Sequence, residues 1–300
     1  MAVLLLLSGT SAYAAMTSTS YQINWDSLNS GGSDLTTSTS YIVQDTVAEA
    51  VAGRSTSTSY ILDSGYRADG EGDTVSLTVA AQMSTSTADS SYSALNVGAK
   101  TITVATPGAF SVGDRIAVIE NRGFSELVTI GKITSIVAST ITLDQLSGDE
   151  SSMSSSPSGG DDEVFRLSGS SLTFGSLSTG AETTLVLDTS VQSTAASGYD
   201  VYLQAADVLK NVSNDVMTPV TDGTVTAGSE EYGAEVTGAL AAGPAGDQGV
   251  TTTARLIQSS VTVSGAASDR VVTIFKIGIT ASTPAGTYTQ SVYATLAPRY

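Results

Sequence analysis

The sequence predicts an all-β protein, an antiparallel β-sandwich with an inserted small SH3-like β-barrel and an N-terminal extended strand repeat. Three observations carry that expectation. Apolar residues recur with period two, as in Val75, Leu77 and Val79 and again in Tyr199, Val201, Leu203 and Ala205. Charged residues make up only 14% of the chain, and Ser, Thr, Ala, Gly and Val fill much of the rest, which suits pleated strands and turns better than helices. Short apolar runs are separated by glycine, proline and asparagine turns, as at Pro107-Gly108, Gly113-Asp114 and Asn121-Arg122-Gly123.

Taken in order, residues 1–15 read as a secretory signal peptide, with the apolar run AVLLLL followed by the small-residue stretch SGTSAYAA. The expected destination is therefore secreted, extracellular or at the cell surface. No later stretch has the length of a transmembrane helix. In residues 16–69 the motif TSTSY occurs at 17–21, 37–41 and 56–60, and each copy leads into a short extended segment. Such spacing suits stacked strands or hairpins. Tyr21, Ile23, Trp25, Tyr41, Ile42, Tyr60 and Ile61 are the side chains expected to dock this segment, as a strand paired within the chain or donated to a neighbour.

Residues 70–93 and 164–300 are assigned to the main sandwich. Between them, residues 94–146 hold strands near 100–105, 115–120, 126–137 and 139–144, close enough in sequence to form a small barrel. The acidic, serine-rich run 147–163 reads as an exit linker. Downstream, Leu172 and Phe174, then Leu185–Leu187, Tyr199–Ala205 and residues 254–263 mark expected strands, and a short helix over 206–217 is one option. Arg270–Tyr300 reads as a closing hairpin, with Val271, Thr273, Phe275, Ile277 and Ile279 on one face and Val292, Ala294 and Leu296 in its second strand.

Chemistry is narrowed by what the chain lacks. It has 12 Lys and Arg against 29 Asp and Glu, a net charge of −17, which repels phosphate backbones, so nucleic acid is not an expected partner. There is no His and no Cys. Ser-His-Asp and Cys-His catalysis and HExxH zinc chemistry are thereby excluded. An enzyme would have to use carboxylates, and Glu230, Glu231 and Glu235 cluster beside Tyr232; the alternative is an acidic surface loop. No catalytic residue and no cofactor are assigned. Calcium is the one ion for which the chain has candidate oxygen ligands, in Asp69, Glu71 and Asp73 and in a second knot at Asp161, Asp162 and Glu163, although both read more readily as solvated turns. Lys276, inside VVTIFKIGI, is placed on the outer strand face with its ammonium in water, or else amide-linked to an Asn or Asp, a similarity of position to some pilins. Asn211-Val212-Ser213 matches a glycosylation sequon.

The segments LTFGSL (172–177), SGYDVYL (197–203) and PAGTYTQSVYATL (284–296) resemble, in that order, the strands of secreted bacterial β-sandwich subunits of the spore-coat-U, fimbrial and WxL types. The likeness covers residues 74–83 and 164–300. The chain departs from those families in having no Cys pair, no WxL tripeptide and no sortase-type anchor. The resemblance implies a non-enzymatic structural subunit of a pilus-like filament or surface layer, built by β-strand donation into a homopolymer. The alternative is a monomeric surface binding module for adhesion to glycan or to a cell-surface protein.

Overall fold

The computed structural model describes residues 36–37, 42–43, 53–56, 61–64, 74–82, 88–264 and 268–299. The chain divides into two units, Met1–Gly72 and Asp73–Tyr300. In the first, β1 (Thr36–Thr37) pairs antiparallel with β2 (Ile42–Val43), and β3 (Gly53–Thr56) with β4 (Ile61–Ser64). Thr37 faces Ile42 and Thr56 faces Ile61. The second and third TSTSY copies therefore span the connections of two antiparallel pairs.

The second unit is a sandwich with a barrel set into it. One sandwich sheet has the order β15 (Glu231–Thr237), β17 (Asp269–Gly278), β13 (Thr183–Ser193), β5 (Val75–Ala81); the other is β16 (Arg255–Ser260), β14 (Tyr199–Ala205), β18 (Val292–Pro298). All pairings are antiparallel. Their facing side chains form one core: Leu187, Val191, Phe275 and Ile277 from the first sheet meet Tyr199, Val201, Leu203 and Ile257 from the second. Period-two patterning dictates this, since alternate residues of a strand share a face.

Between β5 and β13 lies the barrel, made of β6 (Ser90–Asn96), β7 (Thr101–Val104), β8 (Arg115–Glu120), β9 (Leu127–Val137), β10 (Thr140–Leu143) and β12 (Glu163–Leu167). The ladder runs β10-β7-β6-β12-β8-β9 and returns from β9 to β10, so the sheet closes on itself. A short β11 (Ser147–Gly148) adds to β9. Leu95, Ile102, Ile116, Val118, Ile133, Ile141 and Val164 fill the interior.

The alternate residues of three barrel strands point the other way. Ala117, Ile119, Val128, Ile130, Phe165 and Leu167 pack against Ala80, Val186, Val272 and Ile274 on the outer face of the four-stranded sheet. Full burial of an aliphatic side chain contributes about 1.5–3 kcal/mol, so this third apolar cluster joins barrel and sandwich firmly. It also explains why RIAVIE and VVTIFKIGI read as unbroken apolar runs: these strands are covered on both faces.

Several expectations change. The strand at Glu163–Leu167 belongs to the barrel sheet, as does Ser90–Asn96, so the barrel reaches beyond 94–146 on both sides. Its first strand, SSYSALN, buries Tyr92 between two serines and Leu95 between Ala94 and Asn96, a pattern too polar to stand out. Residues 147–163 do not form a free linker: Met153 enters the barrel core, and Leu95 N–H donates to Ser155 O. Arg270–Tyr300 is not a hairpin. Its two strands lie in different sheets, because the connection 279–291 is far longer than a hairpin loop and β17, buried on both faces, takes an interior position. Leu172 and Phe174 pack against the sandwich core from a connection rather than a strand, and no helix forms over 206–217. There the Asn211 side-chain oxygen accepts the N–H groups of Ser213 and Asp215, fixing turns that compete with helix.

Candidate functional site

Two features stand out once the fold is laid down: an open sheet edge and a buried lysine. The edge is β5. Gln82 N–H donates to Val186 O on the β13 side, whereas Ala81 N–H donates outward to Gly169 O. By antiparallel alternation Val75, Leu77 and Val79 turn their N–H and C=O groups to the same outer edge as Ala81. Among the described residues no strand pairs with them. Their side chains face the sandwich core, yet Leu77 and Val79 stay only partly buried, as do Val292 and Leu296 of β18. β18 approaches β5 at the same side of the sandwich and is itself an edge, with Tyr293 57% exposed. One flank of the core is thus lined by half-covered aliphatic side chains and by two edges that no strand among the described residues pairs with.

The lysine is Lys276, near the C-terminal end of β17, between Thr184 of β13 and Gly233 of β15. Its side chain is 4% exposed, not in water as the strand alternation suggested. Nζ donates to Glu235 Oε2 at 2.7 Å and to Phe124 O at 2.8 Å. It lies 3.0 Å from Oδ1 of Asp247, which is also 4% exposed. Asp247 Oδ2 accepts Val225 N–H at 2.7 Å. Gly233 permits this arrangement: a Cβ there would stand 2.5 Å from Val220 Cγ1, so only glycine lets that covering loop lie over the lysine. Burial works to lower the Lys276 pKa, but Glu235 and Asp247 hold it above its ordinary value. Nearby, Glu126 accepts from Gly123 N–H and Thr184 Oγ1, and burial pushes its carboxyl up to about 7.

Further along the same joint, charges cross between barrel and sandwich. Arg270 holds Asp144 through both carboxylate oxygens at 2.8 and 2.7 Å, and Arg115 reaches Asp188 at 2.7 Å. Burial alone would raise Asp144, but the Arg270 fork and backbone N–H groups keep it below the usual carboxylate range. Asp188 goes the other way, burial outweighing Arg115 and Arg270.

The sequence-stated candidates fall as follows. Asp69, Glu71 and Asp73, and Tyr21, Ile23, Trp25, Tyr41 and Tyr60, lie outside the described residues; Ile42 and Ile61 fall in β2 and β4. Of the second acidic knot, Asp162 accepts Gly159 N–H at 2.6 Å and Glu163 pairs with Arg122 at 2.7 Å. Among the described residues no group of three or more acidic side chains is placed to hold a metal. Glu230, Glu231 and Glu235 do not converge: Glu231 caps Thr226 N–H and Glu235 binds Lys276. The Asn211 amide is buried and donates to Asp215. A groove of about 460 Å³ runs beside it, lined by Asp207, Lys210 and Gln290 among others. Sequence reasoning missed the charged joint entirely, because its pairs are far apart in the chain. Among the described residues no helix is long and apolar enough to cross a membrane. Set against family profiles, curated proteins and solved structures, the chain gives no match in any of the three comparisons.

Proposed function

We propose that this chain is an exported, non-enzymatic structural subunit that self-associates into an extracellular filament or surface layer by β-strand addition. The observation that carries the reading is the flank where, among the described residues, no strand pairs with the outer edges of β5 and β18 beside half-covered Leu77, Val79, Val292 and Leu296. An unpaired edge is a pairing template. The complementary need sits in the N-terminal unit: β1–β2 and β3–β4 are two-stranded, and such hairpins are marginal in water without a further sheet to join. A hairpin strand from residues 16–69 of one copy, laid on β5 of the next, satisfies both. Because the donor and acceptor surfaces differ, repetition gives an open head-to-tail assembly. The leader-like AVLLLL run supports export.

Electron microscopy and light scattering on the purified chain test this. Full-length protein is expected to form filaments or sheets, and deletion of residues 16–68 to leave monomers. Polymers that persist after the deletion would refute the donor assignment. Monomers in both samples would favour the other reading, a surface module that binds glycan or a cell-surface protein.

A further inference from the structure

We infer that Lys276 and Asp247 are joined by an intramolecular amide, formed in the folded chain with Glu235 as the proton carrier, making Lys276 a modification site. The inference is independent of self-association. It begins from three facts about one small volume. Lys276 and Asp247 are each 4% exposed, and their Nζ and Oδ1 lie 3.0 Å apart. Oδ1 takes no hydrogen bond from any other group among the described residues. The other oxygen, Oδ2, is held by Val225 N–H at 2.7 Å, and Glu235 Oε2 sits 2.7 Å from the nitrogen on its partly exposed side.

These positions match what amide formation requires. Glu235 accepts one proton from the ammonium. The nitrogen lone pair then attacks Cγ of Asp247, and Val225 N–H stabilises the negative charge that develops on Oδ2. The Cγ–Oδ1 bond breaks as the C–N bond forms. Oδ1 departs as water, taking the proton held by Glu235 and a second from the nitrogen. One ammonium and one carboxylate become one neutral amide and one water, with no other reactant. Held at contact distance, the pair reacts as if at very high concentration. The direction is favoured by burial, since each desolvated ion costs several kcal/mol that the neutral amide does not, and by exclusion of the water needed for reversal.

The link would tie the C-terminal part of β17 to the loop that precedes Gln248, whose backbone exchanges both hydrogen bonds with Ala234 of β15. Three adjacent segments would then be fixed by a covalent bond on the face covered by the barrel.

Tryptic digestion of the denatured, purified full-length chain followed by mass spectrometry tests the proposal. A branched species is expected, joining the peptide with Asp247 to that with Lys276, one water lighter than their sum and uncut after Lys276. Cleavage after Lys276, with both peptides at their unmodified masses, would overturn it. Asp247→Asn is expected to reach the same branched product by loss of ammonia, and Asp247→Ala to give none. Glu235→Gln, at a partly exposed position, should slow formation roughly a hundredfold. An unchanged rate would remove Glu235 from the mechanism.

Discussion

Glu126 sets the pH response at the residue scale. Burial raises its carboxyl from an ordinary 4.5 to about 7, against the opposing pull of Thr184, Gly123 N–H and Lys276. The folded chain therefore holds this proton more tightly than the unfolded chain. Its contribution to stability is full below pH 4.5 and is lost as pH rises to about 7. The loss is on the order of 3 kcal/mol, and Glu126→Gln should abolish it, flattening the urea midpoint over that range. A midpoint in the variant that still falls with pH as in the parent would count against Glu126. The Arg115–Asp188 pair makes a second prediction. Asp188 is 2% exposed in its side chain, so Arg115→Leu strands a buried carboxylate and should cost about 3–5 kcal/mol in equilibrium unfolding. A cost below about 1 kcal/mol would show the pair to behave as a surface contact. None of these pairs was legible in the sequence. Lys276 shows why: strand alternation correctly sets it opposite Phe275 and Ile277, but only the fold shows that a barrel inserted nearly two hundred residues upstream covers that other face.

At the scale of single elements, alternation was readable and partnership was not. The inward sets of β5, β14 and β17 follow from the period-two pattern alone, and each packs into the sandwich core as expected. Which strands pair is decided by connection length and by cover on the second face, so β17 and β18 separated into two sheets. Gly198, at the start of β14, has φ +81, and a Cβ there would stand 2.1 Å from Ser260 O. Gly198→Ala is expected to cost at least about 2 kcal/mol by urea unfolding; a neutral result would mean the turn between β13 and β14 shifts freely away from Ser260. On β5, Val79→Pro removes an outward N–H without touching the bonds to β13. The monomer should keep its fold by circular dichroism, while assembly measured by light scattering falls by at least about tenfold, as expected when an edge is blocked.

For the whole molecule, the sequence announced an all-β architecture with a barrel inside a sandwich, but it misjudged how the two meet. Turn residues marked the barrel strands well. The serine-rich flanks read as spacers because serine and glycine dominate both exposed linkers and the narrow places where a chain crosses a barrel mouth. Only packing, with Met153 in the barrel core and Thr237 hydrogen-bonded to Asp149 across the joint, distinguishes the two. Barrel and sandwich are thus packed together within Asp73–Tyr300, and among the described residues the β5–β18 flank has no strand paired to it. Hydrogen exchange at that flank is the most direct test of strand addition. The amides of Val75, Leu77 and Val79 should exchange fast in chain lacking residues 16–68, and in full-length chain should become protected only above the concentration at which polymers form. Equal protection in both proteins, or protection in the full-length chain that does not depend on concentration, would contradict donation between copies.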